Sequence, residues 1–132
     1  MKHWIYNYGS GRVNLKLQLY DTGNGLQGLL TGGETPHIGG VVLAVPRKSL
    51  TGEGWSADLY ITPVPNHKDV DFAYPLANSL ARLSHSPVVI TAGIHSDSIT
   101  SEELDQLRSS LDAMMKQVFQ ELEQYFNSKI NQ

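Results

Sequence analysis

The last third of the chain constrains the fold most strongly. From Thr100 onward, Leu104, Leu107, Leu111, Met114 or Met115, Val118, Leu122 and Tyr125 or Phe126 recur at three- and four-residue steps, the spacing that gathers side chains on one stripe of an α-helix. Thr100-Ser101-Glu102-Glu103 opens the stretch with a capping box, in which Glu103 reaches back to the cap. At roughly 1.5 Å per residue the stripe runs for about 40 Å. In a chain of 132 residues such a helix has to lie on something broad, either a wide sheet face or a second subunit, and we expect a homodimer.

The first half of the chain supplies the sheet. Residues 3–8 mix Trp4, Ile5, Tyr6 and Tyr8 ahead of the Gly9-Ser10-Gly11 turn, and Val13, Leu15, Leu17 and Leu19 alternate with Asn14, Lys16 and Gln18, the period of a strand with one wet face. Asp21-Thr22-Gly23-Asn24-Gly25 reads as a hairpin turn back into a strand over Leu26 to Leu30. Ile38 to Val45 is apolar on both faces, as a central strand is, and is closed by Pro46. Trp55 to Thr62 is a further strand that ends at Pro63-Val64-Pro65. Phe72, Leu76, Leu80 and Leu83 then take helical spacing, with the main helix expected to start near Pro75, and Val88-Val89-Ile90 forms a buried strand before the long helix. This order predicts one domain over 1–132, an α+β two-layer fold with a largely antiparallel sheet and helices packed on one face.

Composition removes several classes of function. Hydrophobic residues make up 40% of the chain and charged residues 17%, as in a globular protein. A net charge of -3 argues against a nucleic-acid partner but leaves room for a local pocket holding one phosphate. No cysteine is present, which removes disulfides, thiolate metal sites and a cysteine nucleophile and suits a reducing cytoplasm. No apolar run reaches the roughly 18 residues of a membrane span, and the polar, aromatic start lacks a signal-peptide core. The expected location is the cytoplasm.

Three loops carry the chemistry, each setting a histidine beside glycine, proline or a small polar residue. They are Gly32-Gly33-Glu34-Thr35-Pro36-His37-Ile38-Gly39-Gly40, Pro65-Asn66-His67-Lys68-Asp69 and Ala92-Gly93-Ile94-His95-Ser96-Asp97. Glycine pairs let backbone N–H groups approach an anion, or merely make a turn and a tight strand crossing. Lys68, just ahead of a helix, is the leading phosphate contact, and the same segment also reads as a charged turn with Asp69 decorating the helix N-terminus. Asp97 can orient an imidazole or accept from a ligand hydroxyl, or serve with Ser96 as a capping loop. His37, His67 and His95 are also the types that bind a divalent metal, with Glu34 or Asp97 completing the sphere, although no H-x-x-x-H or H-E-x-x-H pair is present. Neither a Walker phosphate loop nor G-x-G-x-x-G opening a helix occurs. His3 and His85 fall outside the three loops. Trp4, Tyr6, Tyr8, Trp55 and Tyr60 are either core or a flat wall for a planar ligand.

The motifs Gly32-Gly33-x-x-Pro36-His37-Ile38-Gly39, Pro65-x-His67-Lys68-Asp69 and Ala92-Gly93-Ile94-His95-x-Asp97 resemble those of the LpdD-like prenylated-flavin chaperones. Asn66 stands where that family's pattern leads us to expect glycine, and asparagine tolerates the left-handed geometry glycine supplies. The resemblance implies a fold similar to proteasome-assembly chaperones. It also implies the role of a decarboxylase accessory protein, beside a UbiD-type hydroxyarylate decarboxylase acting on gallate or hydroxybenzoate. The cargo would be prenylated FMN, bound through Gly32, Gly33, His37, Gly39, His67, Lys68, Gly93, His95 and Asp97, with no catalytic residue. Two other readings stay open: a small metal-dependent hydrolase or lyase built on His37, His67 and His95, and a structural subunit whose helix docks on a larger enzyme.

Overall fold

The computed structural model describes residues 1–130. Strands β1 (His3–Tyr8), β2 (Leu15–Asp21), β3 (Leu26–Gly33), β4 (Gly40–Lys48) and β5 (Trp55–Pro63) precede helix α1 (Val70–Ser84), strand β6 (Val88–His95) and helix α2 (Ser101–Ile130), with a single 3-10 turn at Gly11–Val13. They form one six-stranded sheet in the order β1-β2-β3-β6-β4-β5. Every pairing is antiparallel except that of β3 with β6. Both helices pack on one face, as the α+β reading expects: α1 over β4, β5 and β6, and α2 over β1, β2 and α1. Among the described residues no helix is long and apolar enough to cross a membrane.

Alternation decides the faces. Leu15, Leu17 and Leu19 of β2, Leu26 and Leu30 of β3, Val42 and Ala44 of β4 and Val88, Ile90 and Ala92 of β6 all turn toward the helices and are buried. They meet Leu76, Ala77 and Leu80 of α1 and Leu111, Met114, Val118, Leu122 and Phe126 of α2. The predicted capping box is present: the Glu103 amide donates to Thr100 Oγ1 at 3.0 Å and the Thr100 amide donates to Glu103 Oε1 at 3.0 Å. At the other end of α2, buried Asp21 accepts hydrogen bonds from Tyr125 Oη at 2.7 Å, Lys129 Nζ at 2.9 Å and the Gly23 amide at 2.8 Å. Burial alone would raise that carboxyl, but these donors outweigh it and hold it below the usual aspartate range.

Several details depart from the sequence reading. Val13 lies in the 3-10 turn ahead of β2, β3 runs on through Gly32 and Gly33, and β6 runs on through Gly93, Ile94 and His95, so these residues are strand ends rather than loop residues. Helix α1 begins at Val70 and carries Pro75 inside it. Buried Val70 and Ala73 anchor the first turn on the sheet. The carbonyl that Pro75 leaves without a donor belongs to exposed Asp71, where water can reach. Strand β4 starts at Gly40 rather than Ile38 and continues through Pro46, because β6 pairs with it only as far as Ala44 and no donor is needed on that side beyond. The apolar stripe of α2 is covered within the chain by the sheet and α1, so the helix does not itself call for a second subunit. The apolar surface left uncovered includes Ile5, Leu43 and Tyr60, which stand on the sheet face away from the helices.

Register places the three histidine-bearing segments. Because β3 and β6 run parallel, they finish together, with Gly33 opposite His95. Antiparallel β4 starts at the same end, Gly40 lying opposite Ala92 and Pro63. The loops after β3, β5 and β6 therefore emerge at one end of the sheet, beside the N-termini of both helices.

Candidate functional site

Glycines allow the three loops to touch. A Cβ on Gly93 would run into the His37 carbonyl, one on Gly39 would overlap the Asp69 carboxylate, and Gly33, at φ +77, lies against the His95 carbonyl. These glycines act through close approach rather than by presenting free amides: Gly39 N donates to Ala92 O at 2.7 Å and Gly33 N to Asn14 O at 3.1 Å. Further bonds stitch the loops. Thr35 N donates to His95 O at 3.0 Å and Val64 N to Gly39 O at 2.9 Å, while Glu34 N donates to Ser96 Oγ at 3.0 Å. Asn66 takes φ 68, the left-handed geometry for which asparagine is tolerated in the turn before His67.

Asp69 sits at the junction. Its side chain makes no cap bond to α1. It turns inward instead, where Oδ2 accepts from Ile94 N at 2.7 Å and lies 2.7 Å from His37 Nε2. A carboxylate oxygen only accepts, so His37 Nε2 carries the shared proton, and in the neutral ring Nδ1 is an acceptor or ligand. His67 Nδ1 is 3.9 Å from Asp69 Oδ1. The His37 ring centroid lies 4.7 Å from that of His67 and 5.5 Å from that of His95. His95 Nε2 is 2.9 Å from Oδ1 of exposed Asp97. The sequence-nominated histidines thus share one cluster, with Gly33, Gly39 and Gly93 packed against its loops and Gly32 beside Asn14 at the end of β3. Lys68 is exposed at its edge, and among the described residues it enters no ion pair. His3 stacks on Tyr20, and His85 closes α1 in a left-handed conformation against Trp55, both outside the cluster.

Two residues gain a role that the sequence did not assign them. Asp69 read in sequence as part of a motif or as a charge at the helix N-terminus, and its aim toward β6 depends on the tertiary approach of Ile94. Arg12 lies outside all three loops, yet its guanidinium donates to Glu103 Oε2 at 2.8 Å, Glu34 Oε1 at 2.6 Å and the Asp97 carbonyl at 2.5 Å. It joins the first loop, the third loop and the cap of α2. The Arg12 bond is the main reason the Glu103 carboxyl is lowered to about 2. Two carboxylates occupy Arg12, whereas Lys68 at the same edge enters no ion pair among the described residues.

The family model for the prenylated flavin chaperone LpdD-like domain matches residues 9–123. The chain belongs to this family. All three LpdD-like loops and Arg12 fall inside the matched span. Among solved structures, a chain in the crystal structure of a chaperone complex for yeast 20S proteasome assembly aligns with a TM-score of 0.56 at 13% identity, covering 95% of this chain and 97% of that one. At that identity the likeness concerns the fold alone. No curated protein sequence matches the chain. In this LpdD-like domain His37, His67 and Asp69 each offer one ligand atom, and the three atoms lie within 4.8 Å of one another, a set that could hold a metal ion. This trio exchanges His95, which the sequence reading included, for Asp69.

Proposed function

We propose that the protein binds prenylated FMN at the loop cluster and holds or delivers it for a UbiD-type hydroxyarylate decarboxylase of the gallate-like kind, acting as an accessory chaperone in the cytoplasm. The observation that carries this reading is the meeting of three histidine loops around Asp69 beside unpaired Lys68, in a chain of the LpdD-like family. Lys68 takes the phosphate, while His37, His67, His95 and Asp97 meet polar edges of the cargo. Gly32, Gly33, Gly39 and Gly93 form the wall that lets the loops close. The cluster is partly open, His95 and Lys68 being exposed, which fits a carrier that must also release. The flavin's own chemistry belongs to the decarboxylase it serves.

Anaerobic mixing with reduced prenylated FMN followed by gel filtration tests this. The protein is expected to elute with flavin absorbance, to lose most of it as His67→Ala or Lys68→Ala, and to pass it to the cofactor-free decarboxylase. Wild-type protein that emerges colourless refutes the reading.

A divalent cation at His37, His67 and Asp69 is part of the same proposal. It would be held by one ligand atom each from His37, His67 and Asp69, which lie within 4.8 Å of one another. Metal analysis after dialysis against zinc is expected to find one equivalent, lost in Asp69→Ala. The rival hydrolase or lyase would use a metal to activate water, with Glu34, which Arg12 holds at 2.6 Å, or Asp97, which lies 2.9 Å from His95 Nε2, moving the proton. Turnover of an ester or aryl acid by the isolated protein would favour that rival. For the homodimer, the uncovered face with Ile5, Leu43 and Tyr60 is the surface we assign to a second copy, with sedimentation of the wild type and Tyr60→Glu as the test.

A further inference from the structure

Strand β5 is an edge of the sheet, and the hydrogen bonds at its two ends fix which way each backbone group points. Ser49 N donates to Gly54 O at 3.1 Å and Val64 N donates to Gly39 O at 2.9 Å. Both pairs continue the register in which Leu43 faces Tyr60 and Pro46 faces Ala57. Ser56, Asp58, Tyr60 and Thr62 therefore turn their N–H and C=O groups toward β4, and the residues between them turn theirs outward. Pro46, with no N–H to give, falls opposite one of the outward-turned residues. Among the described residues no hydrogen bond reaches the outward groups of Ala57, Leu59 and Ile61, while the Trp55 carbonyl accepts from Arg82 Nε at 3.0 Å.

This edge is also unguarded. Its nine residues pair with β4 in unbroken register and include no lysine or arginine, and proline occurs only at the last of them, whereas bulges, basic residues and interior prolines are what keep exposed edges from pairing. The charge it does carry, Asp58, is met by Arg47 Nε at 2.9 Å. Ile61 lies on the helix side, opposite buried Val42, yet is 43% exposed, so the helix layer stops short of it. At the other edge α2 closes that layer: Tyr6 of β1 is buried and the Trp4 ring lies 5.0 Å from that of Tyr125.

We infer that β5 pairs with β5 of a second copy, antiparallel about a two-fold axis at Leu59, so that one sheet runs through both. The strand's own symmetry selects this occupant. With Leu59 facing Leu59, Ala57 faces Ile61, and the outward N–H and C=O groups of all three exchange hydrogen bonds. Trp55 then faces Pro63, and the carbonyl that a proline cannot serve is the one Arg82 already fills. On the open face Asp58 meets Tyr60 rather than a second carboxylate, and on the helix side Ala57 covers Ile61. Helix α1 lies over β6, β4 and β5, with β4 the middle of the three. At about 4.8 Å per strand the two copies of α1 stand about 14 Å apart, wider than the roughly 8–10 Å of packed helices, so neither blocks the edge. The opposed strands set Gly54 of one copy beside Val64 of the other, and the β4–β5 hairpin, whose Leu50 is 91% exposed, then abuts the segment that carries His67. This contact goes beyond the flavin-carrier reading and differs from the open-face contact, which leaves the edge amides to water.

Amide hydrogen exchange read by NMR, with sedimentation of the same full-length samples, tests it. Where copies associate, the amides of Ala57, Leu59 and Ile61 are expected to exchange as slowly as those of Asp58 and Tyr60; on dilution to monomer they lose that protection while Asp58 and Tyr60 keep theirs. Ile61→Pro deletes one outward donor and leaves the β4 ladder intact, and Ile61→Lys sets a charge in the seam. Each is expected to halve the associated mass, with melting curves confirming the fold. Associated protein whose three outward amides exchange freely overturns the edge pairing and leaves the open-face contact standing. A wild type that stays monomeric at every concentration, or folded variants that keep the wild-type mass, overturns it as well.

Discussion

Asp69→Ala should be the most damaging single change at the site, and its cost can be worked from the geometry. The side chain is only 8% exposed, and one of its oxygens serves both the Ile94 amide and His37 Nε2 at 2.7 Å. Removing the carboxylate strands the Ile94 amide in a place water reaches poorly, at a cost of about 1–3 kcal/mol for an unsatisfied buried donor. The His37 ring is 23% exposed on its side chain and rehydrates, so its lost bond adds about 1 kcal/mol. The sum is about 3 kcal/mol. For 132 residues the unfolding entropy is about 0.28 kcal/mol/K, so the melting temperature should fall by about 11 °C. With a urea dependence of about 2 kcal/mol/M, the midpoint should fall by about 1.5 M. Asp97→Ala is the control: its side chain is 92% exposed and meets only His95, so it should cost under about 0.5 kcal/mol. Paired urea titrations at neutral pH decide the matter. Equal midpoints for the two variants would refute the claim that Asp69 is the buried tie among the loops.

Gly93→Ala should destabilise by about 1–3 kcal/mol and displace His37, because the added carbon meets the backbone carbonyl of His37, which cannot rotate aside; a His37 NMR resonance unmoved in the variant would contradict this. Asn66→Val should cost about 1–2 kcal/mol, since a β-branched residue is strained at φ 68, whereas Asn66→Gly should be near neutral, as urea midpoints will show. The Glu103 carboxyl falls from an ordinary value of 4.5 to about 2 on folding. Its contribution is therefore complete above about pH 4.5 and is lost as pH falls through about 2. Glu103→Gln should lower the urea midpoint at pH 7 and have a shrinking effect toward pH 2; an effect constant with pH would sink the assignment.

Much of this was legible locally. The alternation of Leu15, Leu17 and Leu19, the Thr100-Glu103 capping box and the spacing from Leu107 to Phe126 each report a single element, and each element formed as read. The nomination of His37, His67 and His95 rested on three similar loop contexts, and parallel pairing of β3 with β6 brings those loops to one end of the sheet. That pairing has no local signature: it follows from α1 carrying the chain back across the sheet so that β6 slots between β3 and β4. What depends on it was hidden for the same reason. Asp69 resembles a helix-capping residue until Ile94 arrives, and Arg12 resembles a turn residue until Glu34 and Glu103 converge on it. Pro75 misled because burial of Val70 and Ala73 overrides the local preference to start a helix at proline.

The central claim is that His37, His67 and His95 form one ligand site and that His3 and His85 do not belong to it. Histidine side-chain NMR during an anaerobic titration with reduced prenylated FMN reads all five rings at once. The account predicts that the three clustered imidazoles shift together on a single isotherm while His3 and His85 stay in place. Independent isotherms for the three, or a response led by His3 or His85, would contradict it.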